Sequence, residues 1–264
     1  SYRTLNIADM TTDGAFTLGC AVSATLAVAG HPILAIPAAM IAGALAGFVT
    51  AFLQTKLKIP SILAGIITNT GLYTVNLAVM GFSSNVNMLK SATVFTMVKP
   101  LLGTFYRLIP GALIAAVAAL LLIAFLRTRL GLSIRATGDN PDMVRASSIN
   151  TAFTVTVGLC VANALTALSG AVLAQYQRTA DINLGTGMVI IGLASLIIGD
   201  TLTPKGRVHT KILGALAGSV IYRFIIAIAL RLDLPSECLK LISAVIVALA
   251  IGLPALRGEK KGVA

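Results

Sequence analysis

The chain has 264 residues, of which 57% are hydrophobic and only 11% are charged. Apolar runs of roughly 17–25 residues recur from end to end, the length that crosses ~30 Å of hydrocarbon, so an ordinary soluble domain is excluded. A net charge of +11 would suggest nucleic-acid binding in a soluble protein, but here the positive-inside rule explains it, and no nucleic-acid partner is expected. The composition predicts an all-α polytopic membrane protein.

Hydropathy predicts eight membrane segments, which we name A to H. They are A at Gly14–Ala29, B at Ile33–Thr55, C at Pro60–Gly81, D at Leu108–Leu126, E at Thr151–Tyr176, F at Gly185–Gly199, G at Lys211–Leu230 and H at Pro235–Leu253. Segments A and F are short and interrupted by glycine, which is typical of the broken helices of transporters. Residues 82–107 are polar enough to lie outside the membrane, although residues 94–102 could dip into it.

Three landmarks recur in the same order at nearly constant spacing. Asp9 precedes A as Asp181 precedes F, the run G-A-L-A-G occurs in both B and G, and Pro-Ser opens both C and H. Because A is the first segment and F the sixth, the two copies are expected to lie upside down relative to each other, as an inverted-topology repeat. The glycines of the repeated run suit close helix packing; they are Gly43, Gly47, Gly214 and Gly218.

The repeat predicts a single transmembrane domain over residues 1–264. Repeat one covers about residues 1–81, D at 108–126 is a connecting span, residues 127–149 form a cytoplasmic loop, and repeat two covers about 150–256. Since E needs a symmetry partner before A, we expect one further membrane helix upstream of Ser1. Most Lys and Arg residues fall on the side of the 127–149 loop, so this loop and the C-terminus are expected to be cytoplasmic.

The loop contains a helix start. Asn140 can cap the N-terminus of a helix, and Pro141 suits its first position. The negative charge of Asp142 is stabilised by the positive end of the helix dipole. The pattern predicts a two-turn helix from Pro141 to about Ser148. On the residues alone this helix is either a connector, which we favour at this point, or a handle for another protein.

Polar residues at membrane depth are costly and are therefore candidates for a translocation path. The candidates are Thr68, Asn69, Tyr73, Asn76, Asn163 and Ser195. The alternative is that they make interhelical hydrogen bonds, which is equally favoured. Asp9 and Asp181 are expected to cap half-helices or, less favoured, to line a cavity.

No enzyme constellation is present in the sequence. It contains no phosphate-binding loop of the type G-x-x-x-x-G-K-[ST] and only two histidines. No His, Cys or Glu residues have the spacing of zinc ligands. We therefore expect no catalytic residue, no metal site and no cofactor in this chain. If ATP drives transport, ATP and Mg²⁺ bind to a different chain.

Four stretches resemble the ABC transporter permeases for branched-chain amino acids and ribose. They are RATGDNPDMVRASSIN at 135–150, ADMTTDGAFTLG at 8–19, KIPSILAGI at 58–66 and IIGLASLIIGDTL at 190–202. The branch with the strongest likeness is that of the amino-acid-like permeases associated with tryptophan or tyrosine uptake. One departure is that the first helix typical of the family is missing, which we attribute to truncation or disorder.

The resemblance implies that the short helix docks into an ATPase, which reverses the preference for a connector. The implied coupling residues are Gly138, Asp139, Asn140, Pro141, Asp142, Met143, Val144, Arg145, Ala146 and Ser147. It also implies a permease homodimer in the lipid of a bacterial inner membrane, two ATP-binding-cassette subunits and an extracytoplasmic solute-binding lipoprotein.

The sequence therefore predicts the permease subunit of an ATP-driven importer for a small solute. We expect the solute to be an amino acid, and an aromatic amino acid is the candidate within that class. One alternative is an ion-coupled secondary transporter, which would need titrating carboxylates in spans that nearly lack them. The other is a channel-type membrane subunit.

Overall fold

The computed structural model describes residues 2, 4–203 and 208–231. These residues belong to two compact units, Ser1–Thr186 and Gly187–Ala264. The first unit holds α1 Thr12–Val28, α2 Pro32–Thr55, α3 Ser61–Val79, β1 Asn85–Asn87, α4 Val94–Leu102, a 3-10 turn at Gly103–Phe105, α5 Leu108–Arg127, α6 Arg129–Asp139, α7 Pro141–Ala146, α8 Thr151–Gln177 and β2 Thr179–Asp181. The second holds α9 Met188–Leu202 and α10 Val208–Arg231.

Within the described residues, five helices are long and apolar enough to cross a membrane, namely Pro32–Thr55, Ser61–Val79, Leu108–Arg127, Thr151–Gln177 and Thr210–Ile228. The shorter apolar helices Thr12–Val28 and Met188–Thr201 match the predicted broken segments A and F. The all-α polytopic class is confirmed. Segment H lies outside the described residues, so the total of eight spans stays a prediction.

Close packing of α1 against α8 forms the centre of the first unit. Gly19 of α1 lies on the backbone of Ala167, and Gly170 of α8 lies on the backbone of Phe16, with no room for a Cβ atom at either glycine. The Cys20 thiol donates to the carbonyl of Gly170 at 3.2 Å across the same contact. Small residues allow this approach because nothing holds the two backbones apart.

Helix α2 packs along the other side of α8 through its repeated glycines. A Cβ atom on Gly43 would stand 2.5 Å from the backbone oxygen of Asn163, and one on Gly47 would stand 2.5 Å from that of Leu159. Helix α3 covers α1, and its Leu72 joins Ala15, Leu18 and Ala46 in a buried apolar cluster. The two glycines therefore have the packing role that their spacing suggests.

A two-stranded sheet joins the end of α8 to the segment after α3. The strands are antiparallel, with Val86 opposite Ala180 and Asn85 opposite Asp181. The sheet was not predicted, because three-residue strands leave almost no alternation in the sequence.

The described part of the second unit contains the helix pair α9 and α10. Gly199 of α9 contacts the backbone of Gly214, and Gly218 of α10 contacts the backbone of Ser195. Helix α9 starts at Met188 rather than at Gly185 as predicted for F, because Gly187 adopts φ +87° and acts as the residue before the first turn.

Candidate functional site

The helix α7 begins as the sequence predicts. The side-chain oxygen of Asn140 accepts hydrogen bonds from the backbone N–H groups of Asp142 at 3.1 Å and Met143 at 3.0 Å, and Pro141 occupies the first turn. The helix ends at Ala146, slightly earlier than predicted, and Ser148 follows with φ +59°. A capped start and a left-handed residue after its end define α7 as a separate short rod.

Only one side chain of α7 is buried. Val144 is 1% exposed, whereas the apolar side chain of Met143 is 56% exposed. Arg145 contacts Asp142 at 3.2 Å and Thr151 at 3.3 Å, all near the surface. Val144 is thus the apolar anchor of the helix, Arg145 links it to α8, and the side chains other than Val144 are exposed.

A second helix, α6, leads into α7 and was not predicted. Thr128 caps it by accepting from the backbone N–H of Gly131 at 3.2 Å, and Ile134 is buried. The predicted coupling residues Gly138 and Asp139 belong to the end of α6 rather than to the short helix. The polar exposed side of α6 hid it, since the prediction relied on apolar runs.

The α6–α7 pair is fixed to the rest of the first unit at two places. Gly138 lies directly on the backbone of Thr4 and Leu5, so the N-terminal segment passes under the end of α6. The hydroxyl groups of Thr137 and Thr154 are 2.9 Å apart, which ties α6 to the start of α8. A displacement of α7 would therefore move α6 and α8 with it.

The path candidates on α3 face the neighbouring helix α1 to different degrees. The Asn76 amide donates to the carbonyl of Gly14 at 3.2 Å, and Asn69 lies beside the same glycine. The Thr68 hydroxyl bonds within its own helix to Ala64 at 3.0 Å. Tyr73 is 53% exposed.

The candidate Asn163 on α8 is fully buried and contacts Asp9. Its amide nitrogen donates to the carboxyl Oδ2 of Asp9 at 2.8 Å and to the carbonyl of Leu159 at 3.1 Å. Asp9 Oδ1 accepts from the backbone N–H of Thr11 at 2.9 Å, and the Thr11 hydroxyl lies 2.8 Å from that of Thr50. This buried polar network joins the N-terminal segment to α2 and α8. The remaining candidate, Ser195, lies in the second unit and bonds to its own helix at the carbonyl of Ile191, 2.9 Å away.

The expectation that Asp9 and Asp181 cap half-helices is wrong in this structure. Helix α1 has Thr11 at its N-cap and α9 has Gly187, and neither end has a side-chain cap. Each aspartate instead accepts from the backbone N–H two residues further on, Asp181 from that of Asn183 at 2.8 Å. Such Asx turns compete locally with capping, and the sequence does not separate the two.

Several buried polar residues were missed, and Gln175 makes the most contacts between elements among them. Gln175 of α8 accepts from the backbone N–H of Val94 at 2.9 Å and donates to the hydroxyl of Ser23 at 3.1 Å and the carbonyl of Pro32 at 2.9 Å. It joins the starts of α4 and α2 to α1. Its position in an apolar segment could have identified it, because a buried glutamine is costly there unless its amide is hydrogen-bonded.

The family comparison decides the class of this protein. The family model described as "Branched-chain amino acid transport system / permease component" matches residues 1–251. The chain belongs to this permease family. It is therefore a permease component of an ABC transporter, a multi-pass inner-membrane protein that is not itself an enzyme and works with a separate ATPase subunit.

Individual relatives agree with the family. The chain is 34% identical over 248 residues to a tyrosine transport system permease protein of Clostridioides difficile (strain R20291), covering 94% of this chain and 82% of the relative. It is 31% identical to an uncharacterized protein of Rickettsia prowazekii (strain Madrid E), over 95% of this chain and 89% of that one. It is 24% identical to a ribose import permease of Haemophilus influenzae (strain ATCC 51907 / DSM 11121 / KW20 / Rd), over 96% and 78%. No solved structure matches the chain. ABC transporters of this family include partner ATPase and binding proteins.

Proposed function

We propose that the chain is the membrane-spanning subunit of an importer and that α7 is the helix by which it docks on its ATPase. The observation that carries the proposal is the exposure of α7. A two-turn helix with one buried anchor, Val144, and an outward apolar side chain, Met143, has the form of a helix that fits a partner's groove. We place α7 on the cytoplasmic side, as the distribution of Lys and Arg indicates.

The contacts around α7 give a route for movement. Asn140 ends α6 and caps α7, and Asn150 caps α8 by accepting from the backbone N–H groups of Ala152 and Phe153 at 3.0 and 3.2 Å. Helix α8 in turn packs on α1 and α2 through backbone contacts at Gly19 and Gly43. A push or pull on α7 would therefore be delivered to a packed bundle rather than to a loose loop.

In the proposed cycle, two copies of the chain surround a central path. Closure of the ATPase pair draws the two α7 helices together, and the bundles rock so that the path opens to the other side. An extracytoplasmic binding protein delivers the solute. The permease supplies no chemistry; ATP and Mg²⁺ act in the partner subunit. In this arrangement Tyr73 and Asn69 stay candidates for the path.

The docking role is tested by Met143→Arg in the complete transporter reconstituted with its ATPase and binding protein. A charged side chain in an apolar contact is expected to lower solute-stimulated ATP hydrolysis by about tenfold, equivalent to about 1.4 kcal/mol. The matched control is Leu132→Arg, because Leu132 is a similarly exposed apolar residue on α6. Normal stimulation in Met143→Arg, or equal loss in both variants, contradicts the docking role.

For the solute we propose an aromatic amino acid. Support comes from the 34% identity to a permease named for tyrosine transport. Labelled tyrosine should accumulate in vesicles that contain the complete transporter and ATP, and excess unlabelled tryptophan or phenylalanine should reduce the uptake, whereas ribose should not. Uptake of ribose in place of tyrosine would contradict this assignment and leave the docking role standing.

A further inference from the structure

A cavity of about 420 Å³ lies in the first unit behind α7. It forms where the N-terminal segment, the end of α2, the α6–α7 junction and the start of α8 meet. Lys58, Arg145 and Gln54 supply its charged and amide groups, while Leu5 and Val155 supply apolar surface. None of the described residues that line it is acidic.

Gln54 gives the first sign that an acceptor is required in this cavity. Its side-chain nitrogen is buried, and within the described part of the chain it has no hydrogen-bond partner. A buried donor without a partner costs about 1–3 kcal/mol. Because Gln54 also lines the cavity, a small rotation of its amide toward the cavity would let a ligand oxygen accept from it and remove that cost.

The two cations can contribute further donors to the same ligand. Arg145 uses its Nε toward Thr151 and its Nη1 toward Asp142, which leaves other N–H groups of its five uncommitted to those two contacts. Lys58 stands just after the end of α2 with φ +55°, a conformation that non-glycine residues rarely adopt. Two cations and an unpaired amide donor favour an anion.

The depth of the cavity identifies the kind of anion. It adjoins the last turn of α2 and the first turn of α8, and both helices are long and apolar enough to cross a membrane. The ends of such helices lie at the level of the lipid headgroups. Basic cavities between helix ends bind phospholipid headgroups, and the apolar lining suits the carbon atoms that a free ion lacks.

We propose that this cavity binds the phosphate group of an anionic phospholipid such as phosphatidylglycerol. The bound lipid holds the segment after α2 to the last turn of α7 by contacting both Lys58 and Arg145. The site needs no ATPase and no solute, so it stands or falls separately from the docking role of α7.

The test is native mass spectrometry of the purified full chain in detergent micelles with equal amounts of phosphatidylglycerol and phosphatidylcholine. The wild-type protein is expected to retain phosphatidylglycerol preferentially. Lys58→Gln should lower that retention about fivefold, since one cation near a lipid surface contributes about 1 kcal/mol. Gln54→Leu should also lower it. Lys56→Gln is the matched control, because Lys56 is exposed, has the same charge and does not line the cavity.

Each outcome decides the proposal. Unchanged retention in Lys58→Gln overturns it, and an equal loss in Lys56→Gln overturns it by showing only general attraction of charge. Displacement of the lipid by millimolar inorganic phosphate assigns the cavity to a free anion and overturns the lipid assignment. Met143→Arg should leave lipid retention unchanged, which separates this result from a failure of ATPase docking.

Discussion

Asn163 joins the N-terminal segment of the first unit to α8 through a single side chain. Its amide nitrogen reaches both Asp9 and the carbonyl of Leu159, and its side-chain oxygen has no partner among the residues the structure describes. In apolar surroundings, polar groups are stable only when they are paired. The contact with Asp9 therefore fixes the N-terminal segment against α8.

Removing this amide is expected to weaken the fold. Asn163→Ala deprives the buried carboxyl of Asp9 of a donor and should lower the free energy of unfolding by about 1–2 kcal/mol. Thermal unfolding of the purified protein in detergent measures the change. Thr70→Ala is the control, because Thr70 is exposed and its hydroxyl bonds only within α3. Equal stability of Asn163→Ala and the wild type would show that the contact is dispensable.

For single residues, the sequence identifies which polar side chains lie in apolar segments, but it does not identify their hydrogen-bond partners. The polarity of Asn163 in an apolar segment marks it, yet its partner Asp9 lies 154 positions away in the chain. The capping role expected for Asp9 and Asp181 failed for a similar reason. A short acidic side chain satisfies either a helix end or an Asx turn, and the neighbouring fold selects between them.

Glycines determine how closely the helices pack. Gly43 and Gly47 place α2 on the backbone of α8, whereas no atom of the described residues is near enough to Gly71, in the middle of α3, to meet an added Cβ. The same residue type thus has opposite environments in the two helices. Gly43 permits a close approach of two backbones, whereas Gly71 faces open space among the described residues.

This difference gives a paired prediction. Gly43→Ala forces α2 and α8 apart and should lower the free energy of unfolding by about 1–3 kcal/mol. Gly71→Ala should leave stability unchanged or raise it slightly, since alanine favours helix more than glycine does. Chemical unfolding monitored by circular dichroism in the same detergent compares the two. A larger loss in Gly71→Ala than in Gly43→Ala would contradict the packing described for α2 and α8.

Elements were predictable where hydropathy is strong and not where it is weak. The apolar runs of α2, α5 and α8 are long enough to be identified by length alone. Helix α6 was not predicted because its charged and polar residues outnumber its buried apolar residues, of which Ile134 is one. The β1–β2 pair joins segments that are distant in the chain, and such pairing leaves no local signal.

On the scale of the whole molecule, the proposed function depends on α7, a short helix of the first unit. The family fixes the protein as an ABC permease, and the structure shows one short, capped and exposed helix attached to α6 and α8. The inverted repeat, the homodimer and the cytoplasmic placement of α7 stay predictions. The claim that α7 meets the ATPase depends on the last of these, because only a cytoplasmic α7 can contact an ATPase on that side of the membrane.

Cross-linking tests that claim most directly. In a chain whose Cys20, Cys160 and Cys238 are replaced by serine, the thiol of Met143→Cys is labelled with a benzophenone maleimide, and the label is photoactivated in membranes that contain the complete transporter, where it inserts into C–H bonds of the nearest chain. We expect a product with the combined mass of the permease and its ATPase, with a yield that changes when ATP is added. Leu132→Cys, on the exposed side of α6, should give much less of it. The account would be contradicted if Met143→Cys gave no such product. It would also be contradicted if a thiol reagent that cannot cross the membrane labelled Met143→Cys in intact cells.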